Sequence, residues 1–163
     1  MTRPLQISVI GKGHPDPAVE ALAVEVGERL ARAGAVVVCG GLTGVMEAVS
    51  QGAAASGGTV IGIVPSTDAA DANQHCTHVV AAGVGHARNL AVVSSGDAVI
   101  AIGGEWGTLS EIAFARALGR VVVALRTWTV TGPGAMEAGP GIEVVSEPEA
   151  AVDLALQAAE AAR

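Results

Sequence analysis

Glu111 is the carboxylate best placed to contact a ligand in this sequence. It lies one turn into a predicted helix that follows the glycine-rich turn Gly103–Gly107. A carboxylate at that position is within reach of a ligand bound at the helix start. The segment from Thr108 to Glu111 also fits a capping box, with Thr108 as the N-cap residue and Glu111 reaching back to it. The pattern favours the capping role, and the two roles are compatible.

Arg88 is the cation that would complement such a site. It lies in an otherwise apolar segment, Val84–Ser95, on a helix that we expect to approach the same end of the sheet. A guanidinium group can clamp a phosphate through two hydrogen bonds or pair with a carboxylate. A solvated surface arginine is an equally good interpretation.

Glycine-rich turns follow three of the predicted strands. Glycine lets the backbone approach a ligand closely, and the helix that follows offers free N–H groups and a partial positive charge. Tight packing alone would also explain one such turn, but three in one chain favour a phosphate site. In the first two turns the residues predicted to contact the ligand are Gly11, Gly13, Gly40, Gly41 and Gly44.

Two common nucleotide motifs are absent from these turns. The first turn ends in Asp16 where a G-x-G-x-x-G fingerprint needs a third glycine, and the second strand ends in Cys39 rather than an acidic residue. A dinucleotide such as NAD is therefore disfavoured. No G-x-x-x-x-G-K-[ST] segment occurs, so a P-loop NTPase is disfavoured as well.

Other polar groups make weaker candidates. His75, Cys76 and His78 lie close together in the sequence, but their spacing fits no standard zinc pattern, so we predict a polar loop and no metal site. Lys12 and His14 flank the first turn, where an anion contact and a plain surface role are equally plausible.

Composition limits the partners of the chain. Its 163 residues carry a net charge of −7 with a single lysine, which argues against nucleic acid and against anionic membranes. The uncharged stretch from Ala48 to Thr67 is long enough to span a bilayer, but its Gly, Ser, Gln and Pro content indicates a helix end, a turn and a strand. Two cysteines do not make a disulfide framework, so we expect a cytoplasmic protein.

Strand-like and helix-like segments alternate along the chain. Such alternation predicts a doubly wound, mostly parallel Rossmann-like α/β sheet with helices on both faces, in a single domain covering residues 1–163. The predicted strands are Gln6–Ile10, Ala35–Cys39, Thr59–Val64, His78–Ala82, Asp97–Ile102, Val121–Leu125 and Ile142–Val145, and the predicted helices are Pro17–Ala33, Val45–Ser56, His86–Ser95, Thr108–Leu118 and Pro148–Ala162. Ligands of such sheets bind beyond the carboxyl ends of the strands.

Three segments resemble a known family. Gly103–Glu111 resembles the P-G-G-x-G-T-x-x-E motif of the Lonely Guy (LOG) superfamily, which was long labelled lysine decarboxylase-like. Gly40–Ala48 resembles its second glycine-rich segment, and Arg88-Asn89 resembles its arginine motif. The resemblance runs from about Ile7 to Leu125 and is closest to the branch that includes molybdenum-cofactor carrier proteins.

The resemblance implies a homodimer or homotetramer that binds a phosphorylated ligand, such as an AMP-like nucleotide or the molybdenum cofactor, and requires no other cofactor. In the hydrolase branch it implies a phosphoribohydrolase that cleaves the N-glycosidic bond of nucleoside 5′-monophosphates. Arg88 and Glu111 would then be the catalytic pair, and Gly104, Gly107 and Thr108 would hold the phosphate. A nearby carboxylate suits the oxocarbenium character of that cleavage.

Glu105 separates the two functions that the resemblance implies. The hydrolase motif has glycine where this chain has Glu105, and proline where it has Gly103. A carboxylate beside the phosphate loop weakens phosphate binding unless it turns outward, which favours a carrier or sensor without turnover. A pyridoxal-phosphate decarboxylase is rejected, because Lys12 is the only lysine and lies at the first turn.

Overall fold

The computed structural model describes residues 3–131 and 141–163. Its strands form one fully parallel sheet in the order β4-β3-β2-β1-β5-β6-β7. The strands are β1 (Gln6–Gly11), β2 (Val36–Cys39), β3 (Val60–Val64), β4 (His78–Ala81), β5 (Ala98–Ile102), β6 (Val122–Leu125) and β7 (Ile142–Val145). The predicted Rossmann-like α/β architecture is confirmed.

Five helices in the described residues cover the two faces of the sheet. They are α1 (Pro17–Arg32), α2 (Val45–Ala55), α3 (Arg88–Ser95), α4 (Trp106–Ala117) and α5 (Pro148–Ala161). Helix α1 packs against α2 and α5 on one face, and α3 packs against α4 on the other. Each face has its own apolar cluster of mainly Ala, Val, Ile and Leu, as expected for parallel strands buried on both sides.

Helix α1 illustrates how the sequence pattern produces these layers. Its apolar residues recur at helical spacing: Val26 and Leu30 are fully buried, whereas Val19 and Leu22 are half-buried at the edge of the contact. The helix ends just before Gly34, which adopts a left-handed φ of 73°, a conformation typical of a glycine after a helix end.

The start of α4 corrects one prediction. The helix begins at Trp106, two residues before the predicted start, with Glu105 as its N-cap residue. The Glu105 carboxylate accepts the Thr108 backbone N–H, and the Glu105 N–H donates to Oγ1 of Thr108. The predicted capping box of Thr108 and Glu111 is therefore wrong. In α4 the acidic residue, Glu105, is the N-cap residue and the hydroxyl residue, Thr108, lies three positions later. This is the reverse of the usual capping box, in which Ser or Thr comes first and Glu or Gln follows.

The polar loop from Ser66 to Thr77 contains a single 3-10 turn, Ala69–Asp71. Nδ1 of His78 lies 3.0 Å from Oγ1 of Thr77, and Sγ of Cys76 lies 3.9 Å from Oγ of Ser50. Within the described ranges, no three His, Cys, Asp or Glu side chains are arranged to hold a metal ion. The connection 126–141 between the predicted strands Val121–Leu125 and Ile142–Val145 lies partly outside those ranges.

Asp97 joins the two ends of the described chain. Its carboxylate accepts hydrogen bonds from Arg3 and Arg163 and from the backbone N–H of Gln6 at the start of β1. The Arg3 guanidinium holds the Asp97 pKa down at about 2. No helix among residues 3–131 and 141–163 is long and apolar enough to cross a membrane.

Candidate functional site

A cleft of about 190 Å³ opens at the carboxyl ends of β1, β2 and β5. The chain runs outward from β1 through β2, β3 and β4, and then resumes at β5 on the other side of β1. This reversal of strand order is where open α/β sheets bind ligands. The predicted residues that line the cleft are Gly11, Gly13, Gly40, Arg88, Gly107, Thr108 and Glu111.

Arg88 is the first residue of α3 and is buried, with 7% of its surface exposed. Its guanidinium lies against Gly40, where a Cβ atom would come within 2.5 Å of Nη1. Within the described chain, its buried Nε has no hydrogen-bond partner. The interpretation as a solvated surface arginine is therefore wrong, because the residue after β2 is a glycine, Gly40, that leaves room for this side chain to fold inward.

Glu111 faces Arg88 from the middle of α4. Its Oε1 lies 3.9 Å from Nη1 of Arg88, and only 6% of its surface is exposed. Burial raises the Glu111 pKa to about 7, while the positive charge of Arg88 opposes the rise. A carboxyl with a pKa near neutrality is only partly ionised at pH 7, so it balances the guanidinium incompletely.

Gly13 and Gly107 present open backbone to the cleft. A Cβ atom at Gly107 would meet no atom within 4 Å, and one at Gly13 would meet only Cε of Met46, at 3.8 Å. Gly107 lies in the first turn of α4, where backbone N–H groups point toward the ligand side. The two glycines line the cleft without being forced by packing, as expected of residues that admit a ligand.

The other predicted glycines have packing partners of their own. Gly41 lies against Val64, Gly44 lies against the carbonyl groups of Lys12 and Gly13, and Gly104 lies against the Trp128 ring. None of these three glycines is part of the cleft lining. Tight packing, which the sequence left open as the alternative, accounts for their lack of a side chain.

Glu105 lies at the rim of the cleft, where it caps α4. Its Oε1 is 2.6 Å from Nδ1 of His14, and hydrogen bonding to His14 lowers the Glu105 pKa. The carboxylate thus takes up part of the anion-binding capacity of the α4 N-terminus. Lys12 is paired with Asp16 at 3.1 Å, so neither residue flanking the first turn is a free cation at the site.

Sequence reasoning missed several residues of the cleft wall. Leu42, Met46 and His86 line it, and so does Asn89, which the arginine motif named without a role. Met46 follows the second glycine turn by two residues, and Nη2 of Arg88 lies 4.0 Å from its Sδ. Leu42, Met46 and Asn89 lie inside segments that carry the family resemblance, but nothing in their residue types indicates a place in the cleft wall, because these positions come together only when α2 and α3 pack beside the same strand ends.

The fold and the cleft define a Rossmann-like protein whose candidate site, a cleft with a buried arginine, lies at its topological switch point. The chain belongs to the SLOG cluster4 family, whose model matches residues 4–152. The SLOG superfamily includes LOG-like proteins. The predicted resemblance is thus confirmed at the level of the superfamily.

Known proteins similar to this chain include one sequence relative and two solved structures. An uncharacterised protein of Archaeoglobus fulgidus is 41% identical over 149 residues, covering 91% of this chain and 93% of the relative. The molybdenum cofactor binding protein of Rippkaea orientalis has a TM-score of 0.87 and 32% identity, covering 96% of this chain and 98% of that one. The molybdenum cofactor carrier protein of Chlamydomonas reinhardtii has a TM-score of 0.84 and 28% identity over the same shares.

Proposed function

We propose that this protein binds a phosphorylated pterin, the molybdenum cofactor, and carries it as cargo without chemical turnover. The observation that carries the proposal is the buried guanidinium of Arg88. It lacks a partner at Nε within the described chain and faces a carboxyl whose pKa is about 7. A buried cation without a full counter-charge favours an anionic ligand. The similarity to a molybdenum cofactor binding protein and a carrier protein supports the choice of cargo.

The residues of the cleft fit the phosphate group of such a ligand. Arg88 supplies a planar fork of donors, which suits a tetrahedral anion. The open backbone of Gly13 and Gly107 leaves room for the ligand beside this fork. In this proposal Arg88 binds the phosphate, and Thr108 contributes by fixing the first turn of α4 through its contact with Glu105.

One feature favours carriage over hydrolysis. Glu111 is partly neutral near pH 7, which weakens the negative charge that an oxocarbenium-like transition state needs beside it.

The alternative function is a nucleoside 5′-monophosphate phosphoribohydrolase, and one observation favours it. A carboxyl with a pKa of about 7 is poised to act as a general acid at neutral pH. Glu111 would then protonate the departing base, with Arg88 holding the phosphate.

Binding and turnover assays on the same preparations distinguish these functions. The probes are AMP and the molybdenum cofactor released anaerobically from a purified molybdoenzyme. The variants are Arg88→Met and the surface control Arg32→Met, whose wild-type side chain makes an exposed ion pair with Glu28. We expect the cofactor to bind wild type and the control, and to bind Arg88→Met at least about 10-fold more weakly.

Chromatography of the AMP incubation for free adenine tests the alternative. Adenine release by wild type that is lost in Glu111→Gln would establish the hydrolase and overturn the carrier proposal. Absence of cofactor binding by the wild-type protein would also overturn it.

A further inference from the structure

An apolar groove continues outward from the cleft, between α3 and α4. Its volume is about 580 Å³, and it shares the walls formed by His86, Asn89 and Gly107 with the cleft. Its remaining walls include Leu90 of α3 and two aromatic residues of α4, Trp106 and Phe114. We call this feature the α3–α4 groove.

The groove concentrates the aromatic residues of the chain. The sequence contains two Trp, one Phe and no Tyr. Trp106 is 77% exposed and Phe114 is 43% exposed, and both line the groove. Trp128 lies directly behind Trp106, with ring centroids 5.1 Å apart. All three aromatic side chains are thus at or behind one surface that opens onto the ligand cleft.

Trp106 is held in place rather than loosely exposed. The Trp128 indole donates a hydrogen bond to the carbonyl of Glu105, the residue just before Trp106, at 3.0 Å. Gly104 leaves the room that the Trp128 ring needs, since a Cβ there would lie 2.8 Å from it. The exposed face of Trp106 is therefore backed by a second ring and by the capped start of α4.

The cleft alone is small for a whole ligand. Its volume of about 190 Å³ is below the range of roughly 300–1,000 Å³ that is usual for small-molecule sites. A phosphate and its adjoining carbon skeleton can enter at Arg88, but a fused heterocycle needs further space. The α3–α4 groove supplies that space with apolar walls and with His86 and Asn89 at the junction.

We propose that the α3–α4 groove is the subsite for the planar heterocyclic ring of the ligand, a pterin or a purine, which stacks on Trp106. This proposal rests on the proposed function, because the phosphate at Arg88 sets the end from which the ring extends. Stacking on an aromatic side chain depends on the π-face of the ring and tolerates different ring systems. His86 and Asn89 are placed to contact the polar edge of the ring.

The test compares ligands with and without a ring. The probes are the released molybdenum cofactor, AMP and ribose 5-phosphate, which keeps the sugar and phosphate of AMP but lacks its base. The variants are Trp106→Ala and the matched control Leu118→Ala, an exposed apolar residue just beyond α4 that does not line the groove. Equilibrium binding is measured by calorimetry, and self-association is measured by sedimentation.

We expect Trp106→Ala to bind the ring-containing ligands of the wild-type protein about 5- to 100-fold more weakly, the range given by one lost stacking contact. Affinity for ribose 5-phosphate stays unchanged in that variant, and Leu118→Ala behaves as wild type with all probes. Equal affinities of wild type and Trp106→Ala for the ring-containing ligands would overturn the subsite.

Two other results would also count against the proposal, and they differ from each other. A dimer that dissociates in Trp106→Ala, with ligand affinity unchanged, would show that a second copy covers the groove. Wild type that binds none of the three probes would overturn the proposed function, and the ring subsite with it.

Discussion

Nη1 of Arg88 lies 3.9 Å from Oε1 of Glu111, and both side chains are buried at the floor of the cleft. This distance is longer than a direct hydrogen bond, which spans about 2.7–3.2 Å for N–H···O. The two ionisable groups are therefore close neighbours without a direct hydrogen bond between them. In the proposed function, an anionic ligand would accept hydrogen bonds from the guanidinium donors that Glu111 leaves free.

Replacing Arg88 separates binding from stability. Arg88→Met removes a buried guanidinium that lacks a full complement of partners but leaves Glu111 without its counter-charge. At pH 5, where Glu111 is protonated, we expect the free energy of unfolding in urea to change by no more than about 1 kcal/mol. Phosphate-ligand binding is expected to weaken by about 2–3 kcal/mol, since a charged hydrogen-bond donor is lost. A variant that unfolds more easily and binds normally would show that Arg88 has a structural role instead.

Glu111 makes stability depend on pH. Its pKa rises from 4.5 in the unfolded chain to about 7 in the native protein, so between these values the native state holds the proton more tightly. The stabilisation is complete below pH 4.5 and is lost as the pH rises through 7, by on the order of 3 kcal/mol. Glu111→Gln has no carboxyl at this position, so its stability lacks this dependence on pH.

Urea unfolding of wild type and Glu111→Gln at pH 5 and pH 8 measures the effect. The other titrating groups are common to both proteins, so their contributions cancel in the comparison. The free energy of unfolding of wild type should fall relative to that of the variant between the two pH values. A constant difference would place the Glu111 pKa near its ordinary value.

Glu105 is expected to limit phosphate affinity. Glu105→Gly removes a carboxylate from the N-terminus of α4 and restores the glycine of the hydrolase motif, so inorganic phosphate and AMP should bind more tightly. Loss of the cap should lower the free energy of unfolding by only about 0.5 kcal/mol or less, since glycine is itself tolerated as an N-cap residue. Calorimetry checks the first effect and thermal unfolding the second. Glu105→Gln controls for charge, and unchanged phosphate affinity in both variants would contradict the expectation.

We expect alanine substitutions at two glycines with left-handed φ values to destabilise the protein by different amounts. At Gly34 a Cβ atom would meet nothing within 4 Å, so Gly34→Ala should lower the free energy of unfolding by about 1 kcal/mol through backbone strain alone. At Gly44 the Cβ atom would clash with the carbonyl groups of Lys12 and Gly13, so Gly44→Ala should lose about 3 kcal/mol or more. Thermal unfolding measures both, and equal losses would show that the first turn can move away.

Most of the fold could be predicted from the sequence because each element carries a local signal. Continuous apolar runs define the buried strands, the 3.6-residue periodicity of Pro17–Arg32 defines an amphipathic helix, and Gly34 ends it. The predicted start of α4 was wrong, and the reason is also local. Capping by Glu105 and by Thr108 are both plausible in sequence, and the actual start depends on how the chain leaves β5.

The candidate site could be predicted only in part. Gly13, Arg88 and Glu111 were named from residue type and spacing and Gly107 from the family resemblance, and the structure brings all four to one cleft. Gly41 and Gly44, named from the glycine-rich turns, and Gly104, named from the resemblance, do not line it. A glycine that admits a ligand and one that admits a neighbouring side chain look alike in sequence, since both simply lack a Cβ atom.

The sequence by itself determined that this protein is a doubly wound parallel sheet with glycine-rich turns at its strand ends, because hydrophobic periodicity and turn chemistry are local properties. Only the tertiary structure decided that Arg88 turns inward, that Glu111 is buried with a raised pKa, and that the aromatic residues meet at the α3–α4 groove. Burial and charge balance depend on which elements pack together, and the residues concerned come from strands and helices far apart in the chain.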